Sequence, residues 1–188
     1  MKRAATLAVA AAALCAAAAT AATLEERAAI CASCHGERGS SMIEGIPSLS
    51  GQPEFFLMNQ LILMREGVRP VPQMEPFVKD LRDEEILALA RRYAAEPPQR
   101  TPEKVDPALA ARGEEIARRL RCASCHLPSL EGQEQMPRLA GQRIDYMIAA
   151  LKAYRDNTRA GADTQMSAVV FGASDADIDA MAHYAAAK

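Results

Sequence analysis

The sequence predicts an all-α protein made of two similar domains, each a few helices and long loops. The motif CASCH occurs at residues 31–35 and again at 122–126, and a matching turn and helix follow each copy. Apolar residues recur at the three- and four-residue spacing of helices, whereas alternating strand patterns are scarce. Prolines crowd the segment between the two copies, where they stop helices and stiffen a linker.

The first 22 residues are predicted to be a secretory signal peptide. Lys2 and Arg3 precede an alanine-rich run that extends to Ala19, and small residues suited to cleavage follow. An uncleaved membrane anchor is the alternative, but the run is short and poor in large apolar residues. Removal of residues 1–22 changes the net charge from −2 to −4 (20 − 24). This excludes the nucleic-acid binders, which are normally basic.

The domain boundary is placed in the proline-rich segment. The predicted order is a signal peptide at 1–22, a first domain at 23–97, a linker at 98–107 and a second domain at 108–188. Domains of this size with only 4% aromatic residues fill a core with difficulty. A bound group in each domain would supply apolar bulk and order the long loops.

The same elements follow each CASCH copy. The turn P-x-L-x-G-Q lies at 47–52 and at 137–142, and a helix comes directly after it. A methionine is next, and the last helix of each domain begins with D-x-[DE]-I. Apolar stripes at helical spacing predict the buried helix faces, namely Ile86, Leu89, Ala90 and Tyr93 in the first domain and Met147, Ala150, Leu151 and Tyr154 in the second.

The motif C-x-x-C-H is the attachment signature of c-type haem. Its two thiols reach the two vinyl groups of one porphyrin, and the adjacent histidine becomes the proximal iron ligand. The sequence therefore predicts two covalently bound haems c, with Cys31, Cys34 and His35 for one and Cys122, Cys125 and His126 for the other. A redox dithiol would need a preceding strand, and one shared zinc ion would leave both histidines and both loops unexplained.

The sixth iron ligand is predicted to be a methionine in each domain. Three histidines are present and two are proximal ligands, so a pair of bis-histidine haems is excluded. Met74 and Met166 hold the same place in the repeat, on a loop before the last helix, whereas Met58, Met64, Met147 and Met181 belong to helices and the core. His183, the remaining histidine, is the alternative to Met166, but its position suggests a solvated helix face.

Other repeated residues have predicted supporting roles. The carbonyls of Pro47 and Pro137 are the expected acceptors for the second ring nitrogen of each proximal histidine. Two further pairs of residues recur, namely Arg65 with Arg155 and Gln52 with Gln142. Their side chains would pair with haem propionates. The alternative is that the arginines lie on a solvated helix face and the glutamines in a helix-start turn.

These motifs together resemble the di-haem cytochrome c4 family over almost the whole mature chain. The resemblance implies two tandem class I cytochrome c domains with their haems close together, and axial methionines at Met74 and Met166. It also implies a periplasmic electron carrier, often serving terminal oxidases, that meets redox protein partners and in some settings a membrane surface. Three departures concern the second domain: Ala173 stands where Leu81 does, the loop before Met166 is two residues longer, and the segment at 118–121 before the second CASCH is short and basic.

Three functions follow as hypotheses. The first is a free electron carrier that is not an enzyme, because two six-coordinate irons leave no site for a small-molecule substrate. The second is the electron-accepting subunit of a dehydrogenase, since the cytochrome subunit of flavocytochrome c sulfide dehydrogenase is similar. The third is a di-haem enzyme, such as a thiosulfate oxidoreductase or a peroxidase, which would need an open or unusually ligated haem.

Overall fold

The computed structural model describes residues 22–100, 102–161 and 164–188. The predicted signal peptide lies outside the described residues except for Ala22. Among the described residues no helix is long and apolar enough to cross a bilayer. These residues form helices and loops without a β-strand, as predicted, and the only pairing of strand type is an isolated bridge between Gln133 and Met136.

Four helices precede the linker and five follow it within the described ranges. They are α1 (Leu24–His35), α2 (Glu54–Arg65), α3 (Glu75–Val78), α4 (Asp83–Ala95), α5 (Pro107–Arg119), α6 (Ala123–His126), α7 (Ile144–Arg155), α8 (Thr164–Val170) and α9 (Asp175–Ala187). Pro107, the last residue of the predicted linker, is instead the first residue of α5, because a proline suits the first helical turn. The rest of the domain bounds stay a prediction.

The buried apolar residues form two separate clusters. One holds residues between Ala28 and Tyr93, and the other holds residues between Ile116 and Ala186. All four residues of the predicted α4 stripe are buried, and so are Met147 and Leu151 of the α7 stripe. Each cluster is therefore built from one copy of the repeat.

The helices α5 and α9 cross at Gly113 in the second cluster. A Cβ atom at this position would lie 2.0 Å from the carbonyl oxygen of Ala180 on α9. Only glycine lets the two backbones approach this closely. Asp106 caps the start of α5 by accepting hydrogen bonds from the N–H groups of Ala108 and Leu109 at 2.8 and 3.1 Å.

The last helix of each repeat is fixed at its start by an arginine from the preceding long helix. Arg65 donates from Nη1 to the carbonyl of Leu81 at 2.9 Å and to Asp83 at 2.7 Å. Arg155 makes the same pair of contacts in the second repeat, with Ala173 at 3.1 Å and Asp175 at 2.6 Å. In both repeats the first of these acceptors is a backbone carbonyl. The difference between Leu81 and Ala173 at this position therefore leaves the contact intact. Both guanidiniums are thus bound to the protein, whereas the sequence had left them between haem propionates and a solvated helix face.

Candidate haem sites

The first C-x-x-C-H motif lies on a continuous helix. Cys31, Cys34 and His35 occupy the last turns of α1, where residues three and four apart share a face. His35 is 6% exposed, whereas Cys31 is half-buried and Cys34 is exposed. The following Gly36 has φ +83°, and a Cβ there would lie 2.2 Å from the carbonyl oxygen of Ser40.

The second motif lies after a break in the helix. The chain leaves α5 through Arg121, which has φ +57°, and His126 ends the short helix α6. His126 is 4% exposed, Cys122 is half-buried and Cys125 is exposed, which repeats the pattern of the first motif. The helical path differs, but the thiols and the imidazole are presented in the same way.

Each proximal histidine contacts the proline carbonyl predicted for it. The distance from Nδ1 to the carbonyl oxygen is 2.8 Å for His35 and Pro47, and 2.8 Å for His126 and Pro137. Burial lowers the pKa of both imidazoles, and the carbonyl contact only partly opposes this effect. Each ring is therefore neutral with its proton on Nδ1, which leaves the Nε2 lone pair for a metal.

The Nε2 atom of His126 shows that this site fits an iron-bound group. It is buried and has no hydrogen-bond partner among the residues that the structure describes. A buried polar atom without a partner is costly and needs an explanation. An iron ion at this nitrogen would provide one, since neutral imidazole is a common haem ligand.

The alternative uses of the cysteines do not match the geometry. All four cysteines of the described chain are free thiols, so they form no disulfide framework. Nowhere in the described ranges do three or more His, Cys, Asp or Glu side chains converge as a metal site, which excludes the shared zinc ion. Burial raises the pKa of the Cys31 and Cys122 thiols, whereas a reactive dithiol needs a lowered pKa.

The two methionines proposed as axial ligands are both half-buried and pack against the apolar cluster of their own repeat. Met74 directly precedes α3, as expected of a loop residue flanked by prolines. Met166 was expected on a similar loop, but it lies inside α8. The reason is that residues 164–170 contain no proline and can continue as a helix. Met58, Met64, Met147 and Met181 belong to the clusters, as predicted.

His183 does not lie on a solvated face, contrary to the expectation. Its side chain is 13% exposed, and its Nδ1 accepts a hydrogen bond from the N–H of Asp106 at 3.0 Å. Its Nε2 lies 3.9 Å from Asp179. His183 thus connects α9 to the residue that caps α5.

Gln52 and Gln142 connect the two repeats rather than serving as isolated turn residues. Gln142 accepts from the N–H of Ser48 at 2.8 Å and donates to its carbonyl at 2.9 Å. Gln52 accepts from the N–H of Arg138 at 3.0 Å and donates to its carbonyl at 2.8 Å. Both glutamines are 5% exposed. The two side-chain amides therefore form a reciprocal, two-point pairing across the repeats, which the sequence analysis did not anticipate.

A second cross-repeat cluster joins Arg69, Tyr146 and Arg159, and the sequence analysis missed it. Burial alone would raise the pKa of Tyr146, but the two guanidiniums outweigh this effect and lower it. Burial lowers the pKa of Arg69, and the neighbouring charge of Arg159 adds to the decrease. Neither arginine forms an ion pair with a carboxylate of the described residues. The signal available in the sequence was that Arg69 lies four residues after Arg65, and Arg159 four residues after Arg155.

Two helical units, each presenting two free thiols beside a buried neutral histidine, define the class of di-haem c-type cytochromes. The family model described as Cytochrome c matches residues 110–186. Cytochrome c4 of Pseudomonas aeruginosa is 31% identical over 175 residues, covering 87% of this chain and 86% of that protein. The chain belongs to the cytochrome c4 family, with covalently bound haem c as its cofactor and electron transfer as its function.

Two further comparisons extend this result. A thiosulfate dehydrogenase electron acceptor of Thiomonas intermedia is 34% identical over 172 residues, covering 86% of this chain and 79% of that protein. The crystal structure of reduced recombinant cytochrome c4 from Pseudomonas stutzeri superimposes with a TM-score of 0.80 at 29% identity. That match covers 86% of this chain and 95% of the other. The similarity therefore spans both repeats and not only the second.

Proposed function

We propose that the chain is an exported electron carrier of the periplasm, with one six-coordinate haem in each repeat. The observation that carries this proposal is the matched pair of buried histidines, each of which places Nδ1 on a proline carbonyl. In the second repeat, Nε2 of His126 is also buried without a hydrogen-bond partner among the described residues. A covalently held haem supplies a reversible one-electron change at its iron. The chain's own residues hold it, orient the imidazole and exclude water.

The residue roles follow the motif order in both repeats. The thiols of Cys31 and Cys34, and those of Cys122 and Cys125, would form the thioether bonds to the two porphyrins. His35 and His126 would be the proximal ligands, and Met74 and Met166 the axial ligands on the opposite sides. Thioether ligation favours ferrous iron and raises the potential, which suits an electron carrier.

The Arg69, Tyr146 and Arg159 cluster is the proposed partner for haem propionates. Two guanidiniums near one phenol lack a carboxylate of their own within the described ranges, and planar guanidinium matches carboxylate well. Replacement of Arg69 or Arg159 by methionine should lower the reduction potential, because a cation near the iron disfavours the ferric state. A replacement that leaves both potentials unchanged would contradict this role.

Haem content and ligand binding test the carrier proposal. The holoprotein should contain two haems c per chain, both low-spin in the ferric and ferrous states. Carbon monoxide should not bind to the ferrous protein, because neither iron offers an open position. Rapid binding of carbon monoxide or cyanide would instead favour an enzyme such as a peroxidase or a thiosulfate oxidoreductase.

The second candidate is an electron acceptor for a dehydrogenase. It is supported by the relative from Thiomonas intermedia, which is named for accepting electrons from thiosulfate dehydrogenase. A purified thiosulfate dehydrogenase with thiosulfate should then reduce both haems rapidly. A flavoprotein sulfide dehydrogenase and a terminal oxidase should be tested in parallel. The resemblance to the cytochrome subunit of flavocytochrome c sulfide dehydrogenase implies the first, and the cytochrome c4 resemblance implies the second. Reduction by a dehydrogenase without reoxidation by an oxidase would favour the acceptor role.

Periplasmic location depends on the signal peptide. Fractionation of expressing cells should give the holoprotein in the periplasm, with a mature N-terminus near residue 23. A chain that keeps residues 1–22 and stays with the membrane would favour an anchor.

A further inference from the structure

Two peptide groups each connect a proximal histidine to the opposite repeat. The peptide between Pro47 and Ser48 accepts from His35 Nδ1 through its carbonyl at 2.8 Å and donates to Gln142 through its N–H at 2.8 Å. The histidine belongs to the first repeat and the glutamine to the second. One rigid, planar amide therefore joins the two side chains.

The same arrangement recurs with the repeats exchanged. The peptide between Pro137 and Arg138 accepts from His126 Nδ1 at 2.8 Å and donates to Gln52 at 3.0 Å. Each glutamine also donates to the next carbonyl, at 2.9 Å for Gln142 and 2.8 Å for Gln52. These two-point contacts fix both amides against movement.

We propose that Gln142 and Gln52 are positioning residues that set the reduction potential of the haem in the opposite repeat. The proposal rests on the haem sites of the proposed function. Gln142 acts on the haem of His35, and Gln52 acts on the haem of His126. A side chain in one domain thereby tunes the iron of the other.

The sign of the effect follows from hydrogen-bond cooperativity. An amide whose N–H donates to an acceptor has a more negative carbonyl oxygen, and such polarisation strengthens the next bond by about 10–30%. A stronger acceptor at Nδ1 makes the imidazole a better electron donor to iron. Electron donation stabilises ferric iron, so each glutamine lowers the potential of the haem it reaches.

Leucine at each position removes the acceptor without changing charge. Because both glutamines are 5% exposed, leucine also keeps water from replacing the amide. In Gln142→Leu the equilibrium constant for reduction of the His35 haem should rise on the order of two- to ten-fold. The His126 haem should change by less than half as much. Gln52→Leu should instead raise the equilibrium constant for reduction of the His126 haem, with the smaller change at the His35 haem.

The two potentials are measured by spectroelectrochemistry on the holoprotein. The variants Met74→His and Met166→His assign the two measured potentials to the two haems. Each variant replaces a thioether by an imidazole and lowers the potential of its own haem. Gln135→Leu, at an exposed loop position, is the matched control and should leave both potentials unchanged.

Three outcomes would overturn the proposal: no shift in either haem, an equal shift in both, or a shift confined to the haem of the mutated repeat. An equal shift would mean that the glutamines only hold the domains together. Failure of the proposed function is separate, because it would show as missing haem or an open iron in the unmutated protein.

Discussion

The Nδ1 atom of His183 accepts a hydrogen bond from the backbone N–H of Asp106 at 3.0 Å. Asp106 also caps α5, because its carboxylate accepts hydrogen bonds from the first N–H groups of that helix. Its backbone thus contacts α9 while its side chain contacts α5. The neutral imidazole must then carry its proton on Nε2. His183 thus has a structural role at the end of the linker.

Replacement of His183 by leucine should lower the free energy of unfolding by about 0.5–1.5 kcal/mol, because the Asp106 N–H loses its acceptor. The absorption spectrum of both haems should not change. Urea unfolding measures the change in free energy of unfolding, and the absorption spectrum of the ferric protein checks the haems. His183→Gln is the control, since an amide oxygen can accept the same bond. Loss of low-spin iron in the leucine variant would make His183 a ligand.

Met74→Ala and Met166→Ala should each abolish half of the weak far-red band of ferric methionine-ligated haem. Each variant should also open one iron to carbon monoxide, because alanine has no donor atom. Met58→Ala is the control, since Met58 packs in the first apolar cluster. If a methionine variant leaves the band intact, the axial assignment in that repeat is wrong.

Glu85→Gln should destabilise the first domain at neutral pH. The Glu85 carboxylate accepts from the N–H of Arg82 at 2.9 Å and pairs with Arg27 at 3.2 Å. The backbone bond and then the arginines hold its pKa below the ordinary value of 4.5. A lowered folded-state pKa gives stability that is present above the ordinary pKa and lost as pH falls through the folded pKa.

The expected loss for Glu85→Gln is about 1–2 kcal/mol at pH 7, measured by urea unfolding. The difference from the unmutated protein should shrink as pH falls below 4.5 and through the lowered folded-state pKa, where the unmutated carboxyl becomes protonated as well. Glu84→Gln is the matched control, because Glu84 is an exposed neighbour that pairs with Arg82. An equal loss at low pH would refute the electrostatic cause.

Gly113→Ala should destabilise the second domain, although alanine normally stabilises a helix by about 1 kcal/mol relative to glycine. The added Cβ would overlap the carbonyl oxygen of Ala180 and force α5 away from α9. Overpacking of this kind costs about 1–3 kcal/mol. Thermal unfolding of the holoprotein measures this loss of stability. A raised Tm would show that the helices cross elsewhere.

Much of each haem site is readable from the sequence, because it is local. The thiols and histidine lie within five residues, and the proline that meets each Nδ1 opens the repeated turn, 12 residues after His35 and 11 after His126. The buried α4 face was also predictable from spacing. These features depend on one repeat alone.

The features that sequence analysis missed depend on how the repeats meet. Gln52, Gln142 and Arg69 each contact residues of the opposite repeat, and no local pattern specifies that placement. The α8 helix was missed because the methionine loop was read by analogy with the proline-flanked first copy. Leu127 and Leu130 were also missed: they have φ +67° and +57°, where the first repeat has glycines at 36 and 39. Positive φ is uncommon for leucine, so composition gave no warning.

The paired glutamine contacts have the symmetry of a homodimer, in which each partner uses the same surface. A one-domain ancestor that associated with its own copy would form both contacts from one set of residues. Joining two copies in one chain makes that association independent of protein concentration. It also frees each copy to diverge, and the residue that pairs with each glutamine is already serine in one repeat and arginine in the other. Gene fusion would thus have turned a self-associating monomer into a carrier whose two halves can acquire different potentials.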